Sequence, residues 1–373
     1  MVEALSAHFD FYIVTLNRDS GSAEPYTTVQ TGSWNAVGMA QVFYTPRFTM
    51  SEMNRIANEL RPDVIYFNGF FSTSTVLGML KRKFGGFRHV PAILATRGDL
   101  AGGALGLKAA KKRLYIRLSK TLGLYRNLLW QASSEREKAE MLRELEAFGV
   151  SEDAIHVAPD LAFGYEQSLT ANRPKKIPGE AAFVTVGRIT RMKNLSFTID
   201  RLRELKGKVS LDIFGPLEDP ELWAECNAKI RMLPERVTVR YHGAVDPAGV
   251  ISELATRHFF ILPTLGENYG HVIIEGAAAG CPVVISNRTQ WLGLAEKQVG
   301  WALPLEAIES WRAVLQGCVD MDEDQFRSMS NRATEFGKSV MNSVANLNAN
   351  IELFGRAIAT RQNLEPIATG TTQ

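Results

Sequence analysis

The sequence predicts an α/β protein built from two doubly wound units, and three observations carry that expectation. Its 373 residues are more than one ordinary hydrophobic core holds. Short apolar runs, among them Val64-Ile65-Tyr66-Phe67, Ala92-Ile93-Leu94-Ala95 and Ala182-Phe183-Val184-Thr185-Val186, alternate with amphipathic helical stretches. That is the pattern of parallel sheets covered by helices. Finally, residues 259–286, FFILPTLGENYGHVIIEGAAAGCPVVIS, read as strand, loop, helix and strand in one unbroken stretch.

Composition bounds the function classes. Hydrophobic residues make up 45% and charged residues 22% of the chain, an ordinary globular balance. No apolar run approaches the roughly 18 residues of a membrane span, and residues 1–3 do not open a signal peptide. Cys226, Cys281 and Cys318 are odd in number and far apart, which argues against a metal or disulfide framework and for a reducing, cytoplasmic compartment. The net charge of +2 does not call for nucleic acid, but residues 81–126 hold 12 Lys or Arg against one acid, Asp99. A local excess of this kind marks a face.

In the first half, a helix end over 2–9 precedes a strand over 11–16, and residues 17–38 read as a polar connection. A short strand over 42–44 follows, then a helix over 51–60 that Ser51 can cap, with Met53, Ile56, Ala57 and Leu60 on its apolar face. Pro62 closes that helix. A strand over 64–67, a helix over 73–82 and a strand over 92–95 continue the alternation. Thr96-Arg97-Gly98-Asp99 then falls at the carboxyl end of a strand, where open α/β sheets bind ligands. Arg97 reads equally as a phosphate partner and as a surface residue beside a tight turn.

The helix over 105–122 carries Lys108, Lys111, Lys112, Arg113, Arg117 and Lys120, with Leu107, Ala110, Leu114, Leu118 and Leu122 on an apolar face. Its leucine stripe is expected to face the core, with the cations solvated. The alternative is a basic amphipathic helix lying on an anionic membrane surface. A strand over 128–132 and a helix over 134–148 complete this half. Pro159, Pro174 and Pro178 place the hinge in residues 158–179, giving units over 1–165 and 166–342 with a terminal segment over 343–373.

The second half opens with the strand over 182–186, followed by Gly187-Arg188-Ile189-Thr190-Arg191-Met192-Lys193-Asn194. Arg188 and Lys193 at a strand's carboxyl end suit a diphosphate, one of them with bidentate geometry. Strands over 211–214 and 237–242 precede the 259–286 stretch. There, a helix starting near Tyr269 would leave free N–H groups around Asn268, Tyr269 and Gly270, where the helix dipole favours an anion. Gly266 and Gly270 let a ligand approach the backbone. Spacing alone favours a plain assignment, with Glu267 as a helix cap and Glu275 on a solvated face.

Glu267 and Glu275, with seven residues between them and followed by Gly276-Ala277-Ala278-Ala279-Gly280-Cys281-Pro282, resemble the signature of glycosyltransferase family 4, the group 1 glycosyltransferases. The resemblance extends to Gly187-Arg188 with Lys193 and covers nearly the whole chain. It implies the GT-B architecture, two Rossmann-like domains facing a cleft, and a retaining transferase that uses a nucleotide-diphosphate sugar. It gives Arg188 and Lys193 the departing diphosphate. The donor sugar falls to Glu267 with Asn268, Tyr269, Gly270 and His271, and the ribose to Glu275. Gly187 and Val245 line the donor site, and Arg97 faces donor or acceptor. The implied acceptor is a glycan or lipid-linked sugar of surface polysaccharide or lipopolysaccharide synthesis, with no metal or other cofactor required. A nucleotide-sugar-binding protein without turnover and a GT-B sugar-nucleotide epimerase are the alternatives.

One departure stands out. Members of the family begin with a strand, a glycine-rich loop and a helix before the part that matches residues 2–16, and here the strand, the loop and most of the helix are absent. The expected consequence is a gap inside the first sheet rather than a trimmed edge, and an N-terminally incomplete sequence is the explanation preferred here.

Overall fold

The alternation resolves into two compact units in the computed structural model, residues 1–161 with 344–373 and residues 162–343. The structure describes residues 1–19, 23–85, 87, 89–102, 105, 109–161 and 173–362. Among the described residues no helix is long and apolar enough to cross a membrane.

The first unit holds two sheets. In one, β1 (Phe11–Leu16) lies parallel to β3 (Ala40–Thr45), whose other edge carries the antiparallel β2 (Trp34–Val37). β2 corrects the reading of residues 17–38 as a connection. Its Trp34 packs edge-on against Phe43 and Tyr12, with ring centroids 5.4 and 5.5 Å apart, so cross-strand contact supports a strand within a mostly polar stretch. The other sheet is fully parallel in the order β4 (Ile65–Asn68), β5 (Ala92–Ala95), β6 (Leu129–Ala132), β7 (Ile155–Val157). The helix Met50–Leu60 is capped by Thr49, not Ser51, because only Thr49 is extended and able to accept the Glu52 amide.

The strands of the first unit form two separate sheets, and among the described residues β1 and β4 each leave one side unpaired. The Asn17 amide donates to the Thr45 carbonyl, so by strand alternation Tyr12, Val14 and Leu16 turn their backbone groups away from β3. The Ile65 and Gly69 amides donate towards β5, which turns Tyr66 away from it in the same manner. No strand among the described residues pairs with either open side. The helix Val344–Gln362 belongs to this unit and contributes Phe354, whose ring stacks on Tyr66 at 5.5 Å and meets Phe11 edge-on at 6.3 Å. Phe354 with Leu5, Ile93, Ala158, Leu353 and Ala357 forms a buried cluster reaching residues of both sheets.

The second unit is one six-stranded parallel sheet in the order β10 (Val237–Tyr241), β9 (Lys208–Phe214), β8 (Glu180–Val186), β11 (Phe259–Leu262), β12 (Val283–Ser286), β13 (Gly300–Leu303). The order reverses between β8 and β11, the position where doubly wound sheets open a crevice at their carboxyl ends. Phe259, Phe260, Ile261 and Leu262 are all buried, as a central strand covered on both faces requires. Apolar residues on one face of the sheet pack with Trp311, Leu315 and Phe326, and those on the other with Ile273, Ala277 and Ala333.

The small residues 276–280 are dictated by packing. A side chain at Gly276 would come within 3.0 Å of the Phe260 ring beneath, and one at Gly337 of the helix Glu323–Met341 would overlap the backbone of Ala278. The helix His271–Ala278 is thus clamped between sheet and helix, and bulk on either side would move it.

Candidate donor site

Three strands of the second unit are followed by glycine: β8 by Gly187, β9 by Gly215 and, two residues beyond β10, Gly243. The Gly187 amide donates to the Phe214 carbonyl at 2.9 Å and the Gly215 amide to Gly243 at 2.7 Å. A Cβ on Gly215 would overlap the Gly187 carbonyl, so the loop that begins at Gly187 closes down over its neighbour. That loop carries Arg188 and Lys193.

It is braced to the loop after β11. The Leu265 amide donates to the Met192 carbonyl at 2.8 Å, the Thr264 hydroxyl to the same carbonyl at 3.0 Å, and the Asn194 side chain to the Pro263 carbonyl at 3.0 Å. Across the brace the Lys193 ammonium donates to the Glu267 carboxylate, both side chains about one-fifth exposed. Arg188 points outward, two-thirds exposed, and donates to both Glu218 oxygens at 3.0 and 3.3 Å. Such an exposed pair opens at little cost.

The helix His271–Ala278 begins at Gly270, whose φ of 78° is left-handed, and no side chain caps it. The N-terminus therefore lies at His271, slightly later than the spacing suggested, and Glu267 is not its cap. A Cβ at Gly270 would come within 2.9 Å of both the Glu267 Cγ and the Ile273 Cδ1, so only glycine gives the turn that holds Glu267 beside Lys193. Asn268 is half-buried in the same turn. Tyr269 is buried against Trp291, ring centroids 5.4 Å apart, and burial pushes its hydroxyl up to about 12. The Trp291 indole donates to the Tyr269 carbonyl at 2.6 Å, which assigns the segment around Gln290 and Trp291 to shaping this turn. His271 is half-buried with its ring 4.7 Å from that of Tyr269.

Glu275 lies one turn into the helix, half-buried rather than solvated. Burial raises its carboxyl above the usual carboxylate range, and its side chain has no hydrogen-bond or ion-pair partner among the described residues. A partly desolvated carboxylate in that state lacks donors and is suited to receive hydroxyl groups from a ligand.

Val245 follows β10 and rests partly on the core beneath, while Asp246 accepts the Ala248 amide at 2.9 Å and so caps a turn. His242 is the strand-end residue that its position suggested. It stacks on Phe214 at 4.6 Å and hydrogen-bonds the buried Asp212 at 2.6 Å. Burial alone would raise the Asp212 carboxyl, but hydrogen bonds from Arg240, His242 and Arg257 hold it well below the usual range.

Arg97 belongs to the first unit, in the left-handed conformation with φ 54°. It is already engaged: it pairs with Asp160, and it donates to the Tyr66 hydroxyl at 2.8 Å and the Asn68 side chain at 3.1 Å. Sequence reasoning missed the residue that holds this loop. Glu137, 4% exposed, accepts from the Thr96 hydroxyl and the Gly98 amide, both at 2.7 Å, and from the Ser133 amide and hydroxyl, also at 2.7 Å. The signal was present as Ser134 followed three residues later by Glu137, a capping-box pattern. Glu218 and Asp160, the partners of Arg188 and Arg97, left no such signal. Among the described residues no cluster of His, Cys, Asp or Glu is grouped to hold a metal ion.

Residues 180–318 match the family model described as glycosyl transferases group 1. The second unit carries a group 1 glycosyltransferase domain. The match spans all six strands of its sheet and both glutamates. No curated protein matches the chain in sequence. Among solved structures, sucrose-phosphate synthase from Thermosynechococcus elongatus is similar at 16% identity and a TM-score of 0.71, over 96% of this chain and 92% of that one. HepE of Anabaena, in complex with UDP and glucose, is similar at 16% identity and a TM-score of 0.65, over 85% and 86%. WaaG, a glycosyltransferase involved in lipopolysaccharide biosynthesis, is similar at 13% identity and a TM-score of 0.59, over 85% and 88%. At these identities the likeness is one of fold, the GT-B fold of two Rossmann-like domains.

Proposed function

We propose that this glycosyltransferase moves a hexose, with retention of anomeric configuration, from a nucleotide-diphosphate sugar to a glycan or lipid-linked acceptor in surface polysaccharide or lipopolysaccharide assembly. The observation that carries the donor reading is Glu275, a half-buried carboxylate without a partner among the described residues, on a helix whose uncapped N-terminus lies beside the Lys193–Glu267 pair. A nucleoside diphosphate sugar offers ribose hydroxyls, a diphosphate and sugar hydroxyls, and these three features have counterparts in Glu275, in Arg188 with Lys193, and in Glu267. HepE has also been solved with UDP-glucose, which supports a nucleotide-sugar donor for this fold.

The chemical difficulty is charge separation, because the anomeric carbon turns cationic as the diphosphate departs. Arg188 and Lys193, with the helix dipole at Gly270, would stabilise the leaving anion in an electrostatic mechanism that requires no metal. In the bound state Lys193 would turn from Glu267 to phosphate and free that carboxylate for the sugar. Attack by the acceptor from the face of the leaving group gives retention without a protein nucleophile. Arg97 is assigned to the acceptor or leaving-group oxygen only if it exchanges Asp160 for that ligand.

A second reading, donor binding without turnover, is favoured by the open edges of β1 and β4 in the first unit. One experiment separates the two. Binding and hydrolysis are measured across a panel of nucleotide sugars for the wild type, Glu275→Ala and Arg188→Ala. Selective binding lost in both variants, with slow nucleotide release in the wild type, supports the transferase. Binding without turnover, even with acceptor extracts, supports the second reading, and absence of any binding removes both.

A further inference from the structure

The helix Ala109–Leu122 was expected to turn its leucines inward, and the structure overturns this: Leu114, Leu118 and Leu122 are exposed. Tyr115 and Ile116 face the core instead, with the Tyr115 ring 6.0 Å from Phe70 and 5.8 Å from Phe71, in a pocket that Tyr125 completes. The helix ends at a left-handed turn on Gly123, φ 61°, beside a recess of about 910 Å³. The recess lies against Ala92 and Leu129, the first residues of β5 and β6, and so at the opposite end of β5 from the Arg97 loop. Its volume is that of a small-molecule site.

The lining combines two chemistries. Pro91, Ala92, Leu124 and Leu128 are buried residues of an apolar wall. Arg82, Lys83 and Arg126 are the charged residues, and no carboxylate lines the recess. Arg82 is half-buried and, among the described residues, donates only to carbonyls, those of Val90 and, at 3.1 Å, of Asn127. Burial pulls that guanidinium below its ordinary range, as for a partly desolvated charge that lacks a counterion. Arg126 lies folded over Gly123, where a Cβ would come within 3.1 Å of its Nε. Lys83 and Arg126 are exposed.

We propose that this recess binds a small organic anion, a phosphate or carboxylate carried on a flat apolar body, at a site separate from the donor site. Arg82, Lys83 and Arg126 would meet the anion, and Pro91, Leu124 and Leu128 its body. The cations and the apolar wall together select that class. A bare inorganic anion satisfies the cations but covers none of the wall. A neutral apolar ligand covers the wall but leaves the cations without a counterion and strips further water from Arg82. An anion with an apolar body answers both, and guanidinium groups suit its paired oxygens. All of the lining belongs to the first unit, so the site stands whether or not the donor reading of the second is correct.

The test is calorimetric titration of the full chain with 1-naphthyl phosphate, with 1-naphthol and with inorganic phosphate. The wild type binds the aromatic phosphate, and the other two compounds bind on the order of tenfold more weakly or not at all. Raised salt weakens that binding, because Lys83 and Arg126 are exposed. Lys83→Ala with Arg126→Ala lowers the affinity on the order of tenfold. Both side chains are exposed, so thermal unfolding of this variant should match the wild type. Arg188→Ala, which removes a phosphate partner from the proposed donor site, leaves the affinity for 1-naphthyl phosphate unchanged. Absence of binding, equal binding of 1-naphthol or inorganic phosphate, or a double variant that binds as tightly as the wild type would overturn the proposal. Loss of binding in Arg188→Ala would overturn it as well, by giving the aromatic phosphate to the donor site.

Discussion

The Lys193 ammonium and the Glu267 carboxylate form an ion pair that joins the loop after β8 to the loop after β11. Each partner neutralises the other, and under the proposed function each would meet a separate group of the donor. Glu267→Gln keeps a hydrogen-bond acceptor but removes the charge. Donor binding should persist while turnover falls on the order of a hundredfold. Lys193→Ala should lose both, and thermal unfolding should show a cost of about 1–2 kcal/mol from the half-buried carboxylate left behind. Calorimetric titration beside a nucleotide-release assay checks both outcomes.

His258 sets an acid limit on stability. The ring is buried, its Nδ1 accepts the Ala182 amide at 3.0 Å and its Nε2 faces the Lys175 carbonyl at 3.2 Å, so the neutral form with the proton on Nε2 is the one that fits. Burial holds its pKa down to about 4 from an ordinary 6.5. The unfolded chain therefore binds the proton more readily. The contribution is fully present above about pH 6.5 and is lost as the pH falls towards 4, on the order of 3 kcal/mol in all. Denaturant midpoints across that range should drop in the wild type, and the His258 part of the slope should vanish in His258→Gln.

Gly337 should tolerate no side chain. In Gly337→Ala the new methyl meets the Ala278 backbone, and relief requires the helix His271–Ala278 to move. The expected cost is about 1–3 kcal/mol by chemical denaturation. Weaker donor binding should accompany it, although residue 337 touches no proposed ligand group.

The open edge of β1 gives a prediction for amide exchange. Ile13 and Thr15 share the side of Asn17 and pair with β3, whereas Tyr12 and Val14 face the unpaired side. Hydrogen exchange followed by NMR should show alternating protection along β1, fast at Tyr12 and Val14 and slow at Ile13 and Thr15. Uniform protection would mean that something pairs with this edge in solution.

The sequence by itself determined the parallel α/β architecture, the two-unit organisation and the composition of the loops proposed to hold the donor. Those features are local: burial of a central strand demands an unbroken apolar run, as in residues 259–262, and a left-handed turn demands glycine, as at Gly270. Only the tertiary structure decided which residues share a partner. The pairing of Lys193 with Glu267, of Arg188 with Glu218, and of Glu137 with the loop after β5 depends on how separated segments come together, and helix or strand periodicity carries no trace of it. The same reason explains the helix Ala109–Leu122. Its periodicity announced two amphipathic faces, and the aromatic pocket beneath chose Tyr115 and Ile116 for the core, leaving the leucines outside.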